Sequence, residues 1–427
     1  MPRYSTPWRR MQVPVPIMPP FICVAHRSFL THRDVGWTLV DISPTAAAAG
    51  VVVNGCAVYI GGAGTADDGA SCADAAAAAA TVFGTASISK TFIAALALQC
   101  AERGELNLDA DINLVLGRSG EAPSRVGNPH FPAETQVTAR QLLTHTAGLV
   151  DDESNLEHGS IYRWAAGATT AVSLAQYVQR ELACDSAQAT ANWSGDAPPG
   201  TAAYHYSNAG FALLGLVIER AAGTPLPELA RARLFHPLGM ESTAYFLSEL
   251  REERKEGSEV LHFAAPQGQP EAQGHYEVAE YPAAQVRSTV ADLCRWLSFL
   301  TQPDREGPCE IGSQRGAEAQ PESTTASRDT EERQTADHVL SEESISAMFP
   351  STGRGALAWW GMDAEYSEKK QGQFEHGGFM QGVRTHMYVW PRSTERHACG
   401  CVVLLNGEAR YEGVVSAIKQ MFEVSKL

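Results

Sequence analysis

The chain has 427 residues, 44% of them hydrophobic and 19% charged, a composition that supports a buried core in one large domain or two to three smaller ones. A formal net charge of -16 argues against the basic surface that nucleic acid or an anionic membrane requires, and no apolar run reaches the ~18 residues needed to span a bilayer. The nine cysteines are scattered, without the spacing of a disulfide framework or a zinc site, and are read as buried thiols in a reducing compartment.

The first 33 residues carry five arginines and no acidic residue, the charge bias of an organelle transit peptide. Six prolines in the first 20 residues would interrupt the amphipathic helix such a peptide uses. The segment is therefore read as a disordered tail, residues 1–47 with its lead-in, and the protein as cytoplasmic with organelle import as the alternative. Residues 50–64 place β-branched and aromatic runs around Asn54-Gly55, which predicts a β-hairpin. An alanine-rich loop is expected up to Phe83. From Lys90 the run TFIAALALQCAERGEL predicts a helix stopping near Gly104.

Further along, VTARQLLTH predicts a helix ending at Gly148, and SNAGFALLGLVIERAAG and ADLCRWLSFL predict two more. Residues 303–337 hold nine acidic residues, four arginines, one isoleucine and no aromatic residue, which predicts an inserted disordered loop. The runs ALAWWGM, QFEHGGF, RTHMYVW and GCVVLLN then predict strands, and a helix over 411–424 closes the chain. Strands at both ends with helices between imply an α/β fold of α+β type. One antiparallel sheet is formed from both chain ends and flanked by helices, with a mainly helical region inserted over about 110–280.

Three short motifs carry chemistry. Ser87 and Lys90 lie three residues apart, on one face of a helix if one forms there. The same spacing recurs at Ser367/Lys370 and Ser416/Lys419, so by itself it decides little. Tyr206-Ser207-Asn208 and His376-Gly377-Gly378 follow in order. Ser-x-x-Lys, Tyr-x-Asn and a basic residue before x-Gly, with flanks FGTASISKTF, VTARQLLTHTAGL, PPGTAAYHYSNAGFALLG and FEHGGFMQG, resemble the serine β-lactamase and penicillin-binding superfamily. The resemblance is to its class C β-lactamase-related hydrolases and covers about 48–425, read as one catalytic domain with a β-lactamase/transpeptidase-like fold.

The resemblance implies an acyl-enzyme on Ser87, with Lys90 and Tyr206 moving the proton. A lysine can serve because neighbouring apolar residues depress its pKa, which no arginine permits. The chain spends one of only six lysines here. Asn208 is implied to contact substrate or hold Lys90, or else to cap the helix it begins. His376 stands where true β-lactamases carry a lysine, a weaker anchor for a substrate carboxylate. Gly378 lets the strand edge approach closely, and the Phe379 N–H is implied to pair with that of Ser87 as an oxyanion hole. His145, in LLTHTAGL, is expected to pack or bond locally.

No dinucleotide, metallo-hydrolase or Gly-x-Ser-x-Gly motif offers a rival site, so no metal and no cofactor are expected. The reading is a serine hydrolase acting on a small-molecule ester, amide or peptide, without nucleic acid and without a transmembrane segment, its oligomeric state open. A true β-lactamase or D,D-peptidase is the alternative enzyme. A catalytically silent binding or assembly protein is the alternative of another class.

Overall fold

A computed structural model of the protein describes residues 46–64, 75–118, 123–151, 163–165, 172–201, 204–251, 262–264, 271–273, 275–302, 339–350, 355–361, 372–391 and 398–406. The elements that build the site are, in chain order, β1 (Ala46–Val53), β2 (Cys56–Gly64), α1 (Ala75–Ala80), β3 (Val82–Gly84) and α2 (Ser89–Glu102). Next come α3 (Ala139–Leu143), α4 (Leu174–Glu181), α5 (Asn208–Ala222), α6 (Tyr281–Ala284), β4 (Arg287–Thr289) and α7 (Val290–Thr301). The chain returns to the sheet as β5 (Trp360–Gly361), β6 (Phe374–Met380), β7 (Val383–Trp390) and β8 (Cys399–Asn406).

These form a six-stranded antiparallel sheet in the order β2-β1-β8-β7-β6-β5, with β1 paired to β8 from Ala46↔Asn406 to Val53↔Cys399. The sheet is thus closed by both ends of the described chain, as the strand-helix-strand order implied. Asn54 and Gly55 both take positive φ (49° and 77°), the two left-handed residues that a tight hairpin turn needs. Every residue of β8 is buried, which explains its uninterrupted apolar run. Val402 and Leu404 join the main core with Val290, Leu293 and Leu297 of α7, while Cys401, Val403 and Leu405 join Ala49, Val51, Tyr388 and Trp390 on the opposite face.

Several local expectations are corrected. Part of the alanine-rich stretch is helical, as α1, because alanine gives up the least side-chain entropy in a helix. The helix in VTARQLLTH ends at Leu143, not near Gly148, since His145 already turns into positive φ (56°). Among the described residues of ALAWWGM, Ala356 to Gly361, only Trp360–Gly361 pairs as a strand. Cys56 is disulfide-bonded, whereas Cys100, Cys184, Cys294, Cys399 and Cys401 are reduced thiols and Cys184 is exposed, so buried thiols throughout do not hold at Cys56 or Cys184. Of the expected tail over 1–47, Ala46 and Ala47 already belong to β1, and the rest, like the acidic loop and the closing helix, lies outside the described residues. Among the described residues no single helix is long and apolar enough to cross a membrane; α5 and Leu226–Phe235 pass only as a pair bent by 75°.

Candidate active site

The site is built on a strained turn between β3 and α2. β3 pairs with β4, and the chain then leaves the strand with Thr85 N–H donating to Val286 O (2.9 Å) and Thr85 Oγ1 to the same carbonyl (2.7 Å). Ala86 takes positive φ (46°), a conformation unfavourable for a residue with a Cβ. Ser89 Oγ holds it there, donating to Ala86 O (2.6 Å) and accepting from Val286 N–H (3.0 Å). A 3-10 turn over Ala86–Ile88 carries Ser87 and runs into α2. Ser87 therefore lies one turn ahead of the α-helix proper, at its positive end.

From the sheet, Thr385 Oγ1 of β7 donates to Thr85 O (2.8 Å), fastening this turn to the β6–β7 hairpin. Gly378 is the point of closest approach. A Cβ there would lie 2.1 Å from Thr385 Oγ1 and 2.7 Å from Thr85 O. The glycine thus makes room for the turn that presents Ser87, and the strand edge passes directly alongside it. Gly378→Ala is expected to push β6 off this turn, lowering ester turnover at least tenfold and stability by about 1–3 kcal/mol. An unchanged melting temperature together with unchanged turnover would show that the turn accommodates the methyl group.

Two side chains converge on Ser87, which is only 8% exposed. Lys90 Nζ donates to Ser87 Oγ (3.1 Å), and Tyr206 Oη donates to the same oxygen (2.8 Å). Lys90 is fully buried, and its other two contacts are Asn208 Oδ1 (2.7 Å) and the Ala283 carbonyl (2.9 Å). Burial lowers its pKa to about 7, opposed by the carboxylates of Asp151 and Glu280. Asn208 Oδ1 and Ala283 O can only accept, so a neutral amine gives them its two N–H bonds and turns its lone pair to the one partner that carries a proton, Ser87. Tyr206 is pushed above the ordinary phenol value, chiefly by burial, and stays a neutral donor. It acts here as a hydrogen-bonded tyrosine and not as a tyrosinate.

Asn208 does not cap its helix. Ser207 does, in extended conformation, with Oγ accepting from Gly210 N–H (3.0 Å). Asn208, the first residue of α5, is thereby free to face Lys90. His145 Nδ1 accepts from Ser207 N–H (3.1 Å), and its ring packs on Tyr206 (4.6 Å) and Phe211 (5.1 Å). Burial, with Lys90 and His376 nearby, holds it well below the usual imidazole value, so it stays a neutral prop for Tyr206.

His376 is buried, stacked on Trp360 (5.0 Å between ring centroids, 20° between planes), and its Nδ1–H donates to Gly377 O (2.8 Å). Burial first, and Lys90 second, push its pKa down to about 3. At neutral pH it carries no charge to offer a carboxylate. Phe379 lies on the part of β6 beyond β5, which pairs only with Phe374 and Glu375. Its ring is exposed, with the Arg384 guanidinium 3.4 Å from the centroid. Among the described residues no group of three or more His, Cys, Asp or Glu is placed to hold a metal.

Sequence reasoning passed over Asp151, Glu280, Ala283, Thr385 and Trp360. Their roles here depend on what faces them across the fold, and the string holds no local mark of it. Only Trp360, in a tryptophan pair shortly before the His-Gly-Gly motif, carried a signal that could have been used.

The sequence profile of the Beta-lactamase family matches residues 44–426. Penicillin-binding protein 4 of Amycolatopsis lactamdurans is 31% identical over 163 residues, 38% of this chain and 36% of that protein. Esterase EstB of Burkholderia gladioli is 33% identical over 194 residues, 45% of this chain and 43% of that protein. The match thus spans less than half the length of these curated relatives. The solved D-amino acid amidase from Ochrobactrum anthropi SV3 has the same fold, with a TM-score of 0.59 at 18% identity over 90% of this chain and 94% of that one.

Proposed function

The chain belongs to the Beta-lactamase family, and on that footing we propose that it is a serine hydrolase working through an acyl-enzyme on Ser87. The observation that carries this reading is the convergence of Lys90 Nζ and Tyr206 Oη on one buried serine oxygen. The neutral Lys90 amine takes the hydroxyl proton as Ser87 Oγ attacks the substrate carbonyl carbon. The backbone N–H groups of Ser87 and Phe379 receive the developing oxyanion. Collapse breaks the bond to the leaving alcohol or amine, which takes a proton from Tyr206, and the Lys90 ammonium restores the phenol. Water then attacks the acyl carbon, its proton passing to the same pair, and the released acid leaves Ser87 protonated again.

The substrate this site suits best is a small uncharged ester or amide. His376 is neutral, and Arg384 Nη1 donates to Met380 O and Val383 O (both 2.8 Å) while the guanidinium covers Phe379. The charged groups acting on Lys90 from within the site are the carboxylates of Asp151 and Glu280. A penicillin, which brings its own carboxylate, meets a poor electrostatic match here. Mass spectrometry after exposure to a fluorophosphonate and, separately, to a penicillin tests both parts: one rapid adduct on Ser87 is expected with the first and slow or no reaction with the second. Failure of the fluorophosphonate to label Ser87 in folded protein would favour a silent binding protein.

The rate of that labelling has a defined pH dependence. Below about pH 7 Lys90 is an ammonium with no lone pair, so the rate should fall about tenfold per unit of decreasing pH. Above it the amine is free and the rate levels off. Tyr206, held above its ordinary value, adds no second limb below pH 10. A profile flat from pH 5 to 9 would remove Lys90 as the base.

A further inference from the structure

Asp151 is not part of any motif, yet its carboxylate accepts four hydrogen bonds beside the site. Its backbone is set by the bridge between Leu149 and Trp193 and by Val150 N–H donating to Asn192 O (3.1 Å). From there Oδ1 accepts from Ser207 Oγ (2.9 Å), Asn208 N–H (2.9 Å) and Ala209 N–H (3.2 Å), and Oδ2 accepts from Asn208 N–H (2.7 Å). With Ser207 Oγ on Gly210 N–H, the first three free N–H groups of α5 are satisfied. A serine cap alone would serve an ordinary helix. This one receives in addition a carboxylate from 57 residues earlier, bound to the backbone N–H of the same Asn208 whose side chain reaches Lys90.

We propose that Asp151 is a positioning residue of this site: one carboxylate that locks the Tyr206-Ser207-Asn208 turn and sets a fixed negative charge in the field of Lys90. The locking follows from connectivity. Tyr206 and Asn208, which hold Ser87 and Lys90, flank the residue whose hydroxyl Asp151 accepts. The second part follows from what else faces Lys90. From the segment preceding α5 comes Tyr206, a neutral phenol, and from α5 itself the Asn208 amide and the Phe211 ring. From α6 comes the Ala283 carbonyl, and from the residue before it Glu280, which accepts from Tyr177 Oη of α4 (2.6 Å). From β6 and the α3–α4 connection come His376 and His145, both neutral. Among the described residues, Asp151 and Glu280 therefore oppose the desolvation of the ammonium, and of the two Asp151 has the larger effect. It keeps the lysine from falling so far that its amine becomes too weak a base.

This rests on the reading of Lys90 as the base, and the test separates the two. The pH profile of fluorophosphonate labelling is measured on the intact protein and on Asp151→Asn, with Asp151→Ser as a second neutral variant should the first not fold. Removing the charge is expected to move the limb to lower pH, so that at pH 6 the variant retains a fraction of its plateau roughly threefold or more above the parent's. The plateau itself should fall about tenfold in kcat for a p-nitrophenyl ester with little change in KM, because the loosened turn acts on Ser87 through Tyr206 and Asn208. Ser207→Ala, which removes the cap and keeps the charge, should lower the melting temperature and leave the limb where the parent has it. A limb that the neutral variants leave in place, as Ser207→Ala does, would reduce Asp151 to a helix cap. A parent profile without a limb near pH 7 would overturn the lysine-base reading and this role of Asp151 with it.

Discussion

Ser87→Ala is expected to lower hydrolysis of a p-nitrophenyl ester by roughly 10⁴–10⁶-fold, the range seen when a nucleophile is removed from a unit whose other members act only through it. Nothing else in the site replaces it. Lys90 Nζ and Tyr206 Oη both end on this oxygen, and neither has a second hydroxyl within hydrogen-bond reach among the described contacts. The fold should survive, with stability within about 1 kcal/mol of the parent, because the variant removes one small oxygen from a crowded polar cluster and no apolar packing. The measurement is steady-state turnover beside a thermal melt. Parent-like turnover in the folded variant would place the chemistry on another residue.

The second large effect belongs to Lys90, and it has two readouts. Lys90→Met keeps a long unbranched side chain and removes the base, so labelling of Ser87 should slow by roughly 10³–10⁴-fold across the pH range. Its effect on stability depends on pH, with a definite sign. In the parent the folded-state pKa is about 7 and the ordinary value is 10.5. Between these the unfolded chain binds the proton that the folded chain has lost, so the parent gains stability as pH rises from 7 to 10.5. Below 7 both states are charged and the folded one bears the full penalty of a buried ammonium. Methionine has no such dependence. The melting temperature of Lys90→Met relative to the parent should therefore be highest below pH 7 and fall steadily as pH rises to 10.5. The orphaned acceptors on Asn208 and Ala283 shift the whole curve downward without changing its slope. A difference independent of pH would mean that Lys90 titrates normally, and the base assignment would then lose its physical ground.

Glycine and histidine in the third motif show how far a motif can be carried. The spacing of His376, Gly377 and Gly378 pointed to a strand edge open to close approach, because a strand with two small residues is one that another backbone can approach. What approaches Gly378, however, is the Thr85–Ala86 turn and Thr385 as well as any substrate, a partnership 300 residues apart in the chain. His376 reads from its residue type as a group that could be charged. Packed under Trp360 and near Lys90, it is held neutral, and the neighbours that do this lie on β5 and α2.

Features that depend on neighbours in the chain were legible in the order of the residues. Asn54-Gly55 set the hairpin because two positive φ values are tolerated at those residue types. The run from Asn208 to Gly223 read as a helix with its stop, and Gly223 does end it at φ 67°. The ordered motifs pointed to the family for the same reason, as short spacings between residues close in the chain. The alanine run and the end of α3 were misjudged because a single turn of helix is marginal by itself and tertiary contact decides it. The chemistry of the site lay beyond that reach. Ser87 meets Tyr206 across 119 residues and Lys90 meets Ala283 across 193. The protonation of Lys90, Tyr206 and His376 follows mainly from desolvation and the rest from facing charges, and Asp151 acquires its partners only when α5 is laid against the loop that carries it. Burial is a property of the assembled core, so a residue's pKa and its hydrogen-bond partners are settled by the packing of distant segments and cannot be read from the residues beside it.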